Sequence, residues 1–172
     1  MAYRNIYEKG DKVLGMVCRP VNRFNPRLHQ LLDDMAETLM RANGVGLAAP
    51  QVGILRRAVI VLETNVDVEA GEEEYIIELI NPEIIETSGE QTGAEGCLSV
   101  PGEYGIVTRP EWVKVRAQDR NGEWHEYEGT GLTARCFCHE IDHLDGHLFL
   151  EKCERMLTDD EIMAGYPEDE EE

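Results

Sequence analysis

The residues best suited to chemistry lie together in the segment His139-Glu140-Ile141-Asp142-His143. In a helix that turns ~100° per residue, side chains four positions apart fall about 40° apart on one face. Both imidazoles can therefore reach one divalent ion. Glu140 lies on the flank of the pair, where a carboxylate can hold and deprotonate a metal-bound water. This spacing predicts a mononuclear metal site with its own general base.

A catalytic ion of this kind needs a third protein ligand, and the residues that follow the helix do not provide one. Phe149 stands where the longer HExxHxxGxxH motif has its third histidine. His147 lies four residues after His143, but Gly146 predicts that the helix ends first, which makes His147 a surface or capping residue. The downstream sequence therefore argues against a metalloprotease of that class.

Cysteine is the remaining source of a third ligand, because thiolates bind transition metals well. Cys136 shares the helix face of the histidines, but a small apolar group that lines the pocket floor is the better interpretation. Cys138 lies off that face and is expected to be structural. Cys97 is the stronger candidate, because the glycine-containing turn Glu95–Ser99 can bring a thiolate to the helix. Spacing alone leaves the choice open.

Two helices are predicted from hydrophobic periodicity and end signals. The first starts at Asn25-Pro26, with proline at the first helical position, and its apolar residues recur at helical spacing toward Asn43-Gly44. The second runs from Leu132 to Leu144 and ends near Gly146, a residue suited to a left-handed cap. This second helix carries the histidine pair.

The middle of the chain is predicted to be antiparallel β-structure. Ala58–Leu62 and Tyr75–Ile80 are typical of buried strands, and Asn81-Pro82 is expected to end the second one. A hairpin is predicted from the alternating pattern that begins at Trp112 and from the Asn121-Gly122 turn that precedes a second aromatic segment.

These elements predict an α+β fold, in which antiparallel β-sheets pack around a central metal-binding HExxH helix and an N-terminal amphipathic helix is added. A chain of 172 residues suits one hydrophobic core, and no linker or repeat interrupts it. We expect a single catalytic domain over residues 1–166, followed by an acidic, flexible tail over residues 167–172.

Composition restricts the partners and the compartment. The chain has 35 Asp and Glu against 16 Lys and Arg, a net charge of -19, so direct nucleic acid binding by charge neutralisation is not expected. No apolar run approaches the ~18 residues that a membrane span needs. The N-terminus lacks the apolar stretch of a secretory signal, and five scattered cysteines do not form an even disulfide framework. These features favour the cytoplasm.

The small-residue segment between residues 44 and 53 is predicted to be a loop or irregular strand. Its spacing Gly44-x-Gly46-x-x-Ala49 also satisfies a dinucleotide-binding pattern. That fingerprint needs a strand before it and a helix after it, whereas here a helix precedes and a strand follows. Glycine does permit close backbone approach, so an extended peptide could pair with main-chain groups near Val45, Gly46 and Gly96.

Three segments together resemble peptide deformylases: GVGLAAPQ at 44–51, EGCLS at 95–99 and HEIDH at 139–143. They occur in the order of that family and at compatible separations. The resemblance runs from about residue 5 to about residue 155. It implies that the metal ligands are Cys97, His139 and His143. It also implies that Glu140 is the general base, and that the Gln51 side chain and the Leu98 backbone N–H bind the developing oxyanion.

The resemblance implies a substrate and a metal as well. The reaction would remove the formyl group from formylmethionyl peptides of newly synthesised proteins and release formate, with a metal-bound water as nucleophile. The methionine side chain would enter a pocket built partly from Val45, Leu132 and Cys136, with Arg135 at its rim. The ion would be Fe(II), with zinc, nickel and cobalt as alternatives for the same donors.

This sequence departs from the family pattern in two places, which limits the properties of the family that the resemblance implies. Many members end in a longer, basic C-terminal helix that assists ribosome docking, whereas this chain ends in acid at Glu172, so transient ribosome proximity is expected without docking through the tail. Tyr104 stands where a number of relatives carry arginine.

A metalloprotease and a catalytically retired binding module remain as alternatives. Loss of Gln51, Glu140 or a ligand would mark a retired enzyme, and all are present.

Overall fold

The computed structural model describes residues 2–165, which form two antiparallel sheets with helices packed against them. The larger sheet has the strand order β1-β2-β3-β6-β7, and the smaller has the order β4-β5-β8. The strands of the larger sheet are β1 (Gly46–Ala48), β2 (Ala58–Glu63), β3 (Tyr75–Ser88), β6 (Trp112–Gln118) and β7 (Trp124–Thr130). Those of the smaller sheet are β4 (Gln91–Cys97), β5 (Val100–Arg109) and β8 (Cys153–Met156). The helices are α1 (Pro26–Arg41), α2 (Leu132–Leu144) and α3 (Asp159–Met163). The predicted α+β architecture is confirmed, whereas the tail predicted for residues 167–172 lies outside the described residues.

Helix α1 begins where the sequence predicts it. The Asn25 side chain accepts a hydrogen bond from the Leu28 backbone N–H at 3.1 Å, and Pro26 occupies the first turn. Such a cap satisfies one of the free N–H groups at a helix start. The apolar face of α1 is buried against β1 and β2 with the residues Leu28, Leu31, Leu32, Met35 and Leu39.

Helix α2 is the centre of the fold. It packs across the larger sheet against β1, β2, β6 and β7. Phe137 and Leu144 are fully buried in the core that the helix shares with those strands. Gly146, with φ of 78°, ends the helix in the left-handed conformation that the sequence predicted. The helix that carries the histidine pair is thus held in place by its packing on the larger sheet.

Strand β3 is longer than predicted. It continues through Asn81-Pro82 as far as Ser88, with a register shift between Ile80 and Glu83 in its pairing with β6. Asn81 adopts φ of 51°, and its side chain bonds the Val21 backbone at 2.8 and 2.9 Å. These bonds stabilise the irregularity, so the proline interrupts the ladder without ending the strand.

The glycine-rich segment after α1 combines both predicted forms. Gly46–Ala48 is a short strand at the edge of the larger sheet, and Ala49–Val52 is a 3-10 turn. Among residues 2–165, no helix is long and apolar enough to cross a membrane.

Candidate metal centre

Cys97, His139 and His143 converge although the cysteine lies on a strand and the histidines lie on a helix. Cys97 is the last residue of β4 in the smaller sheet, whereas both histidines lie on α2 against the larger sheet. One ligand atom from each of the three lies within 4.8 Å of the others, and Cys97 Sγ is 3.4 Å from His143 Nε2. This donor set suits a four-coordinate divalent ion with one position left open.

The orientation of His139 is set by a buried carboxylate. The Nδ1–H group of His139 donates to Glu95 Oε2 at 2.7 Å, which leaves Nε2 as the free nitrogen of the ring. A carboxylate behind a histidine in this way fixes its tautomer and raises its basicity toward a metal. The Phe149 ring stacks on the His139 ring, with 6.1 Å between the centroids and 24° between the ring planes. The residue in the place of a third histidine therefore supports His139 by packing.

Glu95 is itself held by two arginines. Arg109 donates to it twice, at 2.7 and 3.2 Å, and Arg135 donates once at 3.0 Å. Burial would raise the pKa of Glu95, but the hydrogen bonds from His139 and Arg109 outweigh it and hold the pKa far below its usual range. Glu95 is therefore ionised, and it adds negative charge beside the ligand cluster.

The two histidines respond differently to this environment. Burial and the neighbouring His139 lower the pKa of His143 well below its usual value, which favours the neutral imidazole that a metal requires. Burial also acts to lower the pKa of His139, but Glu140, Cys97 and Glu95 raise it overall. The anionic surroundings of His139 thus stabilise a positive charge at this point, and a divalent cation supplies one.

Glu140 is buried in the same place, and one of its oxygens is unsatisfied. Its Oε1 atom has no hydrogen-bond partner among the described residues and lies 4.0 Å from His143 Nε2. Burial raises the pKa of Glu140 to about 7, against the opposing effect of His139. A buried carboxylate oxygen without a partner is costly unless a ligand or water meets it. Together with the donor set, this orphaned oxygen fits a site built for a metal ion and a reacting water.

A cavity of about 400 Å³ opens beside the ligand cluster. Its walls include every residue that the sequence analysis assigned to the substrate, namely Val45, Gly46, Gly96, Leu132, Arg135 and Cys136. Gln51, Leu98 and Tyr104 also line it. The cavity therefore collects side chains from both sheets and from α2.

Gln51 is fully buried in the wall of this cavity, and its amide is oriented by the backbone. Its Oε1 accepts from the Ala48 N–H at 2.9 Å. Its Nε2 lies 3.1 Å from Ser99 Oγ and 3.5 Å from Cys97 Sγ. One amide N–H group of Gln51 is therefore directed at Ser99, and the other at the ligand cluster.

Arg135 differs from its predicted position at the rim. The residue is only 7% exposed, and its guanidinium donates to Glu95 at 3.0 Å and to the Val107 carbonyl at 3.1 Å. The ionised Glu95 explains this, because a buried carboxylate attracts a second guanidinium. His147 is exposed and bonds Glu151, and Cys138 is buried outside the cavity, as expected for both.

Sequence reasoning missed the supporting carboxylate and its partners. Glu95 begins the EGCLS segment, and its place two residues before a candidate ligand is the signal that could have marked it. Arg109 ends β5 and also donates to Asp142 at 2.7 Å. No spacing pattern links Arg109 to the site, because it reaches the helix only through the pairing of β5 with β4.

Taken with the fold, this geometry defines a class of protein. A Cys/His/His cluster, a buried carboxylate with an unpartnered oxygen and a cavity of about 400 Å³ beside them are the parts of a mononuclear metallohydrolase.

Comparison with known proteins assigns the family. Residues 3–158 match the family described as polypeptide deformylase. The chain is 57% identical to a peptide deformylase of Agathobacter rectalis over 92% of this chain and 95% of that one. It is 52% identical to one of Lachnoclostridium phytofermentans over the full length of both.

A crystal structure of a peptide deformylase from Legionella pneumophila superposes with a TM-score of 0.80 at 41% identity, covering 95% of this chain and 90% of that one. A class I type b peptide deformylase from Acinetobacter baumannii with Met-Ala-Ser bound gives 0.80 at 39%, covering 88% and 98%. The chain therefore belongs to the polypeptide deformylase family.

Proposed function

We propose that this protein removes the formyl group from the N-terminal formylmethionine of newly synthesised polypeptides, giving formate and a free amine. The observation that carries the proposal is the unpartnered Oε1 of Glu140 beside the Cys97, His139 and His143 cluster. This arrangement unites metal ligands and a candidate base in one buried place. The family relationship supplies the substrate class.

Cys97, His139 and His143 would hold one divalent metal ion in this protein. Such an ion polarises a carbonyl oxygen and lowers the pKa of a bound water. The resemblance of the three sequence segments favours Fe(II), and the mixed thiolate and imidazole donors also accept zinc, nickel or cobalt.

Glu140 would act as the general base and then as the general acid. Its buried carboxylate takes a proton from the attacking water as the oxygen of that water bonds to the formyl carbon. When the carbon–nitrogen bond breaks, Glu140 returns the proton to the departing amine nitrogen. A pKa of about 7 suits both transfers, because the group can gain and lose a proton near neutral pH.

Gln51 and Leu98 would stabilise the negative charge that develops on the formyl oxygen. The Gln51 N–H group that points toward Cys97 Sγ is close enough to the ligand cluster to meet this oxygen. The backbone N–H of Leu98, the residue after Cys97, would be the second donor. Donors of this kind are typically worth ~3 kcal/mol each in the transition state.

The substrate peptide would pair with the free edge of the larger sheet. Strand β1 lies at that edge, and its other side is occupied by β2, to which the Val45 carbonyl is bonded through Leu62 N–H at 2.8 Å. Val45, Gly46 and Gly96 line the cavity, so an extended peptide can reach their main chain. The methionine side chain would enter the part of the cavity formed by Val45, Leu132 and Cys136, and the formyl group would be selected because its carbon carries only hydrogen.

Because its substrates would be nascent formylated peptides, the protein would act in the cytoplasm and near ribosomes. It would not dock through the acidic segment Glu168–Glu172. Neither direct nucleic acid binding nor membrane association forms part of the proposal. The catalytic unit would be the single domain of residues 1–166, with residues 167–172 as an appended acidic tail.

The test uses anaerobically purified, iron-loaded protein with formyl-Met-Ala-Ser and acetyl-Met-Ala-Ser. Formate and free amine should appear from the formyl peptide alone. Cleavage of an internal peptide bond would indicate the metalloprotease alternative. No release from either peptide, with metal bound, would indicate a retired enzyme.

A matched pair of variants tests the role of Glu140. Glu140→Gln keeps the size of the side chain but cannot accept a proton, so kcat should fall by roughly 10²–10⁴-fold while the metal content stays near that of the parent protein. Glu151→Gln is the control, because that carboxylate is exposed and bonds only His147 in the described part of the chain. Loss of metal in Glu140→Gln would show instead that Glu140 is structural.

A further inference from the structure

A second and larger cavity lies away from the metal centre. It has a volume of about 1060 Å³ and is lined by Arg4, residues 19–23 and Asn25, the first turns of α1 and the segment 53–56. It shares no residue with the cavity beside the ligand cluster. We call it the arginine groove, after the five arginines that line it: Arg4, Arg19, Arg23, Arg27 and Arg56.

The charge of the arginine groove is opposite to that of the chain. No Asp or Glu lines it, although the sequence has 35 acidic residues and a net charge of -19. Arg4 pairs with Asp34 at 2.9 Å. The other four arginines are exposed, and none forms an ion pair within residues 2–165. Their electrostatic partner is therefore not found in the described chain.

The fold brings these like charges together in two pairs. Arg19 and Arg56 are partners in an isolated parallel bridge, which the bond from Arg57 N–H to the Arg19 carbonyl at 2.9 Å supports. Arg23 and Arg27 flank Asn25, the cap of α1. The start of α1 adds the positive end of the helix dipole. Four positive charges that line one cavity, without an ion-pair partner within residues 2–165, favour a bound anion there.

The remainder of the arginine groove is apolar, with two amides. Val21, Leu28 and Leu31 are buried beneath it, and Ile54 and Leu55 are half-buried in its wall. Asn22 and Asn25 contribute side-chain amides. A ligand for this site therefore needs clustered negative charge at one part and a flat or apolar group with polar edges at another.

We propose that the arginine groove binds a nucleoside polyphosphate. Guanidinium groups pair with phosphate oxygens two at a time, and helix starts favour phosphate as well. The nucleoside would lie on the aliphatic wall with its base edges toward the asparagine amides. The volume is close to that of known small-ligand sites, which reach about 1,000 Å³.

A compact ligand fits better than an RNA strand. The cations converge on one cavity instead of forming the stripe that follows the backbone of a strand. A strand longer than the groove would also run onto the acidic surface of a chain with net charge -19. A polyphosphate keeps its whole charge inside the groove.

The experiment measures binding of fluorescent mant-ATP to the metal-loaded full-length protein by anisotropy. Unlabelled ATP should displace the probe, tripolyphosphate should displace it less well, and adenosine least well. Raising the salt concentration should weaken binding. The double variant Arg23→Gln/Arg27→Gln should lower the affinity by roughly tenfold or more, because charge-assisted bonds to phosphate are lost.

Arg41→Gln is the matched control, since Arg41 lies on the same helix at its other end and outside the groove. Its affinity for mant-ATP should stay within about twofold of the parent value. If circular dichroism shows that Arg23→Gln/Arg27→Gln is unfolded, Arg19→Gln/Arg56→Gln provides the same test in a different segment.

A folded parent protein that shows no saturable binding up to about 1 mM probe would overturn the proposal, and so would an equal loss of affinity in Arg41→Gln. Displacement by a short RNA at lower concentration than ATP would overturn it in favour of a nucleic acid backbone, and equal displacement by pentaglutamate would overturn the preference for phosphate.

Discussion

Replacing Gly46 with alanine tests whether the position of the Glu140 carboxylate controls turnover. A Cβ atom at residue 46 would lie 2.5 Å from Glu140 Oε2 and 2.9 Å from its Cδ and Cγ atoms. Glu140 is buried, so its side chain cannot rotate into solvent to relieve this contact. The backbone of Gly46 itself is ordinary strand, which alanine also adopts.

The size of the effect follows from the distance. The carboxylate oxygen must retreat by about 0.9 Å to reach 3.4 Å, where ordinary van der Waals contact begins. A displacement of about 1 Å of a catalytic group can lower the rate by roughly 10²-fold, or about 2.7 kcal/mol of activation free energy. We expect kcat to fall by this factor in Gly46→Ala. KM should change little, because the main chain of β1 that would pair with the peptide is retained.

The assay is steady-state formate release from formyl-Met-Ala-Ser, with metal content and thermal unfolding measured on the same samples. Overpacking at residue 46 should also lower the free energy of unfolding by roughly 1–3 kcal/mol. Gly15→Ala is the control, since a Cβ there would meet nothing within 4 Å and its φ is not positive. Its kcat should match that of the parent protein. A folded, metal-loaded Gly46→Ala enzyme with kcat within about twofold of the parent would refute the assignment of Glu140 as a positioned base.

Three further results are expected. Glu95→Gln should lower the free energy of unfolding in urea by roughly 3–5 kcal/mol and weaken metal binding by roughly 10–100-fold, because it removes the carboxylate that pairs with the buried Arg135 and leaves Arg109 with Asp142 alone; the exposed Glu86→Gln variant should do neither. Gln51→Met should keep the metal but lower kcat by roughly 10²–10³-fold in the formyl-peptide assay, and an unchanged kcat would exclude the side chain as an oxyanion donor. Removing the metal with a chelator should lower the melting temperature, which should recover in proportion to the logarithm of free metal concentration when the ion is returned; a melting temperature that does not depend on metal would contradict the assigned ligand cluster.

The parts of the fold that the sequence predicts are those with a strong local pattern. Helix α2 has the predicted bounds, because its apolar periodicity and Gly146 agree, and α1 begins at its asparagine cap. The hairpin of β6 and β7 follows from alternation around Asn121-Gly122. In each case local propensity and the final packing favour the same structure.

The smaller sheet was not predicted, for a physical reason. Strands β4 and β5 contain Gly93, Gly96, Pro101 and Gly102, which locally favour turns. They form a hairpin in which Gln91 pairs with Arg109 and Cys97 pairs with Val100, and β5 also pairs with β8. The glycines and Pro101 interrupt the apolar–polar alternation that predicts a hairpin, and the positions of the buried Glu95 and Arg109 depend on this pairing. The sequence could therefore nominate the three metal ligands by resemblance but could not reveal the carboxylate that orients one of them.

The placement of the ligands would make the metal ion a cross-link within the fold. Cys97 belongs to the smaller sheet and the two histidines to the helix on the larger one, so an ion held by all three would join β4 to α2. Oxidation of the Cys97 sulfur would break this cross-link as well as stop turnover. Exposure to oxygen should therefore increase hydrogen exchange of the backbone amides in β4 and α2, a change that can be measured separately from the loss of activity.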